Sequence, residues 1–356
     1  MEGSSQLLSN TVSINNQSFA VINSTAAAAI TASIYVFTPA GFDTIKLVLL
    51  VLLITFGVTG LVGNILVVYF VRKKQSASVL QLSSFLRNFN LYVKSKSLSD
   101  ILSILLSLPL FCSQIMLDVF QNGWPCKLVR YFGMSFQSII INNLIAISVE
   151  RFLSTCDVPK TFSVTTVRKL VYAAWIAGFL VSLAPAATMN GIRYDINSTH
   201  YTVDCKYDTS YLPYRAIVVG YVQVQHVIPS IALICINIIL ARRVWKRRKR
   251  RIDVQKDNAI KATMRWQHIK TTSILIIITL AFVIPYSSLL YYAVYLAVAK
   301  PSIDFQQDFV IRYFSVVLIL SNSSINVIIY LVQMKDFRVF VMKRLCLRGN
   351  AQVNPI

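Results

Sequence analysis

Charge is scarce in this chain, and negative charge is scarcest. Of 356 residues only 14% are Asp, Glu, Lys or Arg, where a soluble domain carries roughly a quarter. Asp and Glu total 14 against 35 Lys and Arg, and 55% of the residues are hydrophobic. That balance excludes an ordinary water-soluble domain. Histidine is nearly missing too: His200, His226 and His268 stand far apart, so no zinc cluster can be drawn from them. There is no nucleophile motif and no phosphate-cradling glycine loop, which leaves an enzyme without its chemistry. Internal repeats are missing, and with them the paired, interrupted halves of a transporter. The first ten residues offer neither a basic start nor an apolar core, so a cleaved signal peptide is not expected.

What the chain does have is apolar length. Stretches of ~20 residues, enough to cross ~30 Å of hydrocarbon, occur seven times, over 47–70, 98–117, 131–149, 170–189, 216–240, 272–299 and 309–332. The connections are short, so the chain reads as one all-α polytopic membrane domain. Its formal charge of +21 would in a soluble protein point to nucleic acid, but the distribution points to topology. Positions 72–96 hold six Lys and Arg, 151–169 four, 242–270 twelve, and the segment after Tyr330 five, 27 of the 35 in all. Basic residues flanking spans stay cytoplasmic. The amino end is therefore outside and the carboxyl end inside. Nucleic acid is not an expected partner; membrane lipid is. The densest run, 242–251 with eight basic residues of ten, reads as a solvated cytoplasmic extension of a helix.

The segment 26–42 is apolar but broken by Thr, Ser, Pro39 and Gly41, and reads as a tail. Sequons at Asn16 and Asn23 in that tail, and at Asn197 in the second outer loop, all fall on the outer side, where glycosylation occurs. Six cysteines divide by depth. Cys112 and Cys235 lie within spans, Cys156 and Cys346 on the inner side, and only Cys126 and Cys205 in outer loops. An oxidising exterior favours a bridge between those two; two free thiols are the alternative.

The seventh run contains the most informative stretch, Asn322-Ser323-Ser324-Ile325-Asn326-Val327-Ile328-Ile329-Tyr330, with Phe337 beyond it. Amides, hydroxyls and a phenol in hydrocarbon are costly unless they find partners, so this reads as an internal polar seam. Other features line up with it. Gly63-Asn64 lies in the first span and Leu98-Ser99-Asp100 in the second. Cys126 opens the third and Glu150-Arg151-Phe152 closes it, with Trp175, Pro229 and Pro285 in the next three. Order and spacing together resemble the rhodopsin-like G-protein-coupled receptors over residues 43–346. Within that family, Pro229 with Asn237 eight residues on, the run from Ser324 to Tyr330, and Asp336-Phe337-Arg338 are similar to invertebrate FMRFamide-receptor-like peptide receptors. The chain departs from the family at Val327, where proline is usual. It departs again at Val283, where a tryptophan switch is usual, leaving Phe282 or Tyr286 to transmit ligand contact.

The resemblance implies a seven-transmembrane helix bundle with a short C-terminal interfacial helix. Residues 1–42 form an extracellular tail, 43–334 the receptor domain, and 335–356 the interfacial helix and cytoplasmic tail. That last segment has a basic face (Lys335, Arg338, Lys343, Arg344) and apolar Phe337, Phe340 and Leu345, which suits a membrane surface. Cys346 is a palmitoylation candidate. The implied setting is the plasma membrane, with an extracellular ligand, a heterotrimeric G protein, arrestin and a receptor kinase as partners, and no cofactor. Coupling falls to Glu150, Arg151 and Phe152, with Asn237 and Tyr330 moving toward Arg151 on activation. Glu150 is expected to hold Arg151 at rest; the alternative is a snorkelling Arg151 that sets helix depth. Where an acid often completes this clamp from the sixth helix, the chain has Arg265, a like charge. Asp100 at membrane depth needs partners, which Asn64, Asn322, Ser323 and Asn326 can supply. In the family that shell often holds sodium. Here Lys96, four residues before Asp100 on the same helical face, offers an internal cation instead.

The ligand is bounded mainly by missing anchors. Gly133 stands where amine receptors carry an aspartate, and Leu320 where opsins carry the retinal lysine. Polar candidates for the pocket are Gln114, Gln137, Gln223, Gln225, His226 and Tyr286. The outer acids Asp195, Asp204, Asp208, Asp304 and Asp308 are either ordinary wet loop residues or partners for a basic group, such as the arginine of an amidated Arg-Phe peptide. A neuropeptide is the expected ligand. A chemosensory receptor for environmental small molecules on the same fold stays open. So does a ligand-gated channel, although seven-helix insect odorant channels have the amino end inside, against the charge bias here.

Overall fold

The computed structural model describes residues 33–37, 41–77, 84–118, 123–156, 160–253, 259–299, 301 and 303–345. Within them, seven spans are long and apolar enough to cross a membrane. The chain enters the first, α1 (Asp43–Ala77), through Gly41 at φ 87°, a conformation that side chains with a Cβ avoid. Asp43 in its first turn and Lys74 in its last complement the helix dipole. The second span is α2 (Ser84–Met116) and the third α3 (Gly123–Ser154). The fourth joins α4 (Val164–Val181) to the short α5 (Leu183–Ala187). Ser163 starts α4 as its N-cap, accepting from the Thr166 N–H.

The fifth span runs from α6 (Leu212–Val222) through a π-helical turn, Gln223–Val227, into α7 (Ile228–Asp253). Pro229 explains the widening. It has no N–H to give to the carbonyl four residues back, and an i→i+5 bond from Ile228 N–H to the Gln223 carbonyl takes up the slack. α8 (Ala259–Ala299) carries Pro285 inside the sixth span. α9 (Phe305–Gln333) is capped by Asp304, whose carboxylate accepts from the Gln306 N–H. α10 (Lys335–Leu345) then turns away from it.

Burial sorts the spans. In α9, 72% of the most apolar window is buried, and in α3 56%, against 28% in α1, in α4–α5 and in α6–α7. α3 and α9 therefore form the axis, while the others turn an apolar face outward. On α1, Val51, Val58, Val62 and Ile65 are exposed, as a lipid-facing stripe should be. Two apolar cores result. An outer one gathers Leu53, Phe111, Val129, Phe309 and Tyr313. An inner one gathers Phe70, Leu144, Ile274, Tyr330 and Phe337. The polar seam of α1, α2 and α9 lies between them.

The bundle was expected from the apolar runs, but its outer cap was not. β2 (Met189–Asp195) and β3 (His200–Tyr207) form an antiparallel hairpin, with Gly191 opposite Cys205. The Asn197 side-chain oxygen Oδ1 closes its turn by accepting from the N–H groups of Thr199 and His200. β1 (Ile34–Tyr35), from the segment read as tail, pairs parallel to β3. The second span also begins earlier than its apolar run. Lys94 and Lys96, counted with the inner loop, belong to α2, and Lys96 is buried. Asn16, Asn23 and Cys346 lie outside the described residues, as does the side chain of Arg265.

Candidate functional site

Beneath the hairpin lies a cavity of about 130 Å³. Its walls come from α2 (Phe111), α3 (Arg130, Gly133, Met134, Gln137), α6 (Val218, Tyr221), α8 (Leu289, Tyr292) and α9 (Arg312), and Cys205, Lys206 and Tyr207 of β3 line it as well. The Cys126–Cys205 disulfide, expected from topology, fixes this cap to the start of α3 with Cα atoms 5.4 Å apart. Arg130 donates to the Cys205 carbonyl at 3.0 Å.

Of the six pocket candidates only Gln137 lines this cavity; Gln225 donates to Asn142 at 3.2 Å instead. Gln114 lines a smaller one of about 30 Å³ beside Asp204 and Tyr313. Gln223 sits in the π turn. His226 is buried beside Tyr221, whose hydroxyl also meets Ser138 at 3.0 Å. Tyr286 is buried and stacks on Phe282 with centroids 4.2 Å apart. These two rings lie on α8 just inward of Leu289 and Leu290, which line the cavity.

The outer acids have work within the protein. Asp195 pairs with Arg193 at 2.8 Å. Asp208 accepts from the Ser210 N–H and hydroxyl, and Asp304 caps α9. Asp204 and Asp308 both bind Nη2 of Arg312, the latter at 2.5 Å, and Tyr292 donates its hydroxyl to Asp308. Burial would push the Asp204 carboxyl up, but the Arg312 guanidinium together with Lys206 and Arg130 outweighs it and holds the group below the usual carboxylate range. The expected acidic receptor for a ligand arginine is thus already occupied. Arg312 is the site residue that the sequence expectations lack, although a guanidinium inside an apolar run is itself a site signal.

At mid-depth, Lys96 Nζ lies 3.0 Å from Asp100 Oδ2, with both side chains almost wholly buried. Asn64 instead donates to the carbonyls of Gly60 and Ser323, at 2.8 and 3.2 Å. Asn326 donates to Asn322 at 3.3 Å, so the seam is assembled without a direct bond from these amides to Asp100. The family's sodium does not fit here. The ammonium already neutralises the one carboxylate, and a further cation would be a buried charge without a counter-charge. The position usually proline is also accounted for: the Val327 methyls lie where a Cβ on Gly63 would stand, 2.5 Å away.

The inner end gathers the coupling candidates. Arg151 is fully buried, with its guanidinium 5.3 Å from the centre of the Phe89 ring, so it does not snorkel to the surface. Glu150 Oε1 accepts from Asn88 at 2.6 Å, and the same amide reaches the Phe162 carbonyl, tying α2 and α3 to the segment before α4. Arg243 of α7 lies over the Phe152 ring and donates to its carbonyl. Asn237 and Tyr330 are buried, and their side-chain polar atoms have no hydrogen-bond partner among the described residues. Tyr330 borders a small void shared with Lys96, Tyr92 and Asn143. Polar atoms held without partners are suited to a second arrangement that would satisfy them.

A seven-span bundle with an outer capped cavity and a buried inner arginine defines a seven-transmembrane receptor architecture. The chain belongs to the 7 transmembrane receptor (rhodopsin family), whose profile matches residues 63–330. The growth hormone secretagogue receptor type 1 of Sus scrofa is 25% identical over 312 residues, covering 81% of this chain and 78% of that receptor. Adenosine receptor A3 of Bos taurus is 33% identical over 135 residues, 37% of this chain and 40% of that one. The crystal structure of squid rhodopsin shares the fold, with TM-score 0.68 at 18% identity over 87% of each chain. It is a receptor, not an enzyme.

Proposed function

We propose that this receptor sits in the plasma membrane with its amino end outside, binds an extracellular peptide beneath the hairpin, and activates a heterotrimeric G protein at its inner face. The observation that carries this reading is the placement of the capped cavity at the end of α3 opposite Glu150-Arg151-Phe152. Ligand contact has a route inward along α8 through Tyr286 and Phe282, where the family's tryptophan is Val283. Opening α8 from α3 would expose a groove for the G protein, as a population shift biased by the ligand. Residues 1–42 act as outer tail, 43–334 as receptor domain, and 335–356 as surface helix and inner tail, with arrestin, a receptor kinase and lipid as further partners there. Asn197, exposed on the hairpin turn, is a glycosylation site in this reading, as are Asn16 and Asn23.

Gly133 lines the cavity, so a monoamine would find no carboxylate at that position. The relative spanning most of the chain is named for growth hormone secretagogues, which supports a signalling ligand. The narrower likeness to FMRFamide-receptor-like receptors rests on Pro229, Asn237 and Asp336-Phe337-Arg338. The size of the cavity favours a second reading, a chemosensory receptor for small molecules, because about 130 Å³ takes roughly one ring-sized group. Cells expressing the receptor, screened with neuropeptides, amines and odorants for G-protein activation, separate the two. Saturable responses to a peptide are expected. Responses confined to small molecules, with peptides silent, overturn the peptide assignment.

A further inference from the structure

The charge around the outer cavity is the reverse of what the loop acids suggested. Three cations line it, Arg130, Lys206 and Arg312. Two carboxylates, Asp204 and Asp308, lie against them, and both are spent on the same nitrogen of Arg312. Among the described residues, one positive charge is left over. The other terminal nitrogen of Arg312, Nη1, is buried without a hydrogen-bond partner among the described residues. Arg130 meets a backbone carbonyl and, among the described residues, no carboxylate within salt-bridge distance. Lys206 lies 4.6 Å over the Tyr194 ring. Most of the remaining wall is apolar, with Phe111, Met134 and Leu289 on three different helices, while Gln137 and Tyr292 add polar groups.

We infer that the ligand presents a carboxylate next to one ring-sized apolar group, the carboxylate received by Arg130 and Arg312 and the apolar group by the wall between α2, α3 and α8. The inference rests on the receptor reading above and names the chemistry of its ligand. A carboxylate is the planar acceptor that guanidinium forks match. It cancels the surplus charge, which in a desolvated pocket is otherwise costly. An ammonium or guanidinium ligand would add to that surplus. The cavity, at about 130 Å³, is close to the space that holds one benzene ring. A longer ligand must therefore leave its remainder against the hairpin. The same chemistry comes from a peptide's terminal or side-chain carboxylate or from a free aromatic acid.

The test uses the full-length purified receptor and its melting temperature in 3-phenylpropanoate, 3-phenylpropanamide or 2-phenylethylammonium, with acetate balancing ionic strength. The acid should raise Tm saturably, with the amide about tenfold weaker or more, the loss expected for one charge-assisted contact, and the ammonium without effect. Arg130→Gln should reduce the acid to the level of the amide, and Lys127→Gln, outside the cavity lining, should not. No saturable response to the acid, an amide or ammonium as effective as the acid, or an acid response that survives Arg130→Gln would each overturn the inference. If Arg130→Gln does not fold, the acid and amide comparison on the unaltered receptor decides alone. Peptides tested on cells as matched acids and amides separate the two sources. Activation by amides at least as well as by acids would remove the carboxylate while leaving the peptide receptor standing.

Discussion

Lys96 and Asp100 show how two adjacent side chains can replace a bound ion. Their i,i+4 spacing was legible in the sequence, because one turn of helix brings such residues together whatever surrounds them. Purified receptor should show no sodium-specific stabilisation, with equal Tm in NaCl and KCl at matched ionic strength. Lys96→Met should destabilise it by about 3–5 kcal/mol, the cost of stranding a buried charge, and should create a saturable preference for sodium over potassium. Sodium-specific stabilisation of the unaltered receptor would contradict this. Gly63 and Val327 form a second local pair. A Cβ at Gly63 would stand 2.5 and 2.6 Å from the two Val327 methyls, on a side chain too short to swing away. Gly63→Ala should cost about 1–3 kcal/mol by overpacking, and adding Val327→Ala should restore much of it. A single variant that melts with the wild type would refute the contact. Arg312 was not legible in this way. Its meaning depends on Asp204, 108 residues away, which only the hairpin brings to it.

The seven spans could be read because an apolar run long enough to cross a bilayer has few alternatives. The hairpin could not, and β3 shows why. Its buried positions include Thr202, Asp204 and Cys205 alongside Tyr207, so the strand carries no alternation of apolar and polar residues from which a period could be taken. Its order comes from the disulfide, from β1, and from Arg130 and Arg312. Cys205→Ser should therefore loosen the whole cap, costing about 2–5 kcal/mol, with reduced surface expression and lost ligand binding. Normal expression and binding would show that the strand pairing alone holds the cavity roof. α10 was read as a membrane-surface helix from its basic and apolar faces. In the structure part of that apolar face is used within the protein. Phe337 is buried against Phe70, 5.3 Å between ring centres, and Lys74 pairs with Asp336 at 2.6 Å.

Taken as a unit, the receptor is polar at three depths and apolar between them. The outer cavity is held by ion pairs, the mid-depth seam by Lys96–Asp100 and the amides, and the inner end by Glu150, Arg151 and their neighbours. Such layers are discrete packing arrangements, and a shift at one depth can bias another without continuous deformation. The central claim is that ligand binding outside is read out at Arg151 inside. Its most direct test is receptor-catalysed nucleotide exchange on a purified G protein, driven by an agonist from the screen, with ligand affinity measured in parallel on membranes lacking G protein. The wild type should accelerate exchange with saturating agonist. Arg151→Ala should keep its affinity within about threefold, well under 1 kcal/mol, while exchange falls to the rate without receptor. Exchange by Arg151→Ala equal to that of the wild type would contradict the account.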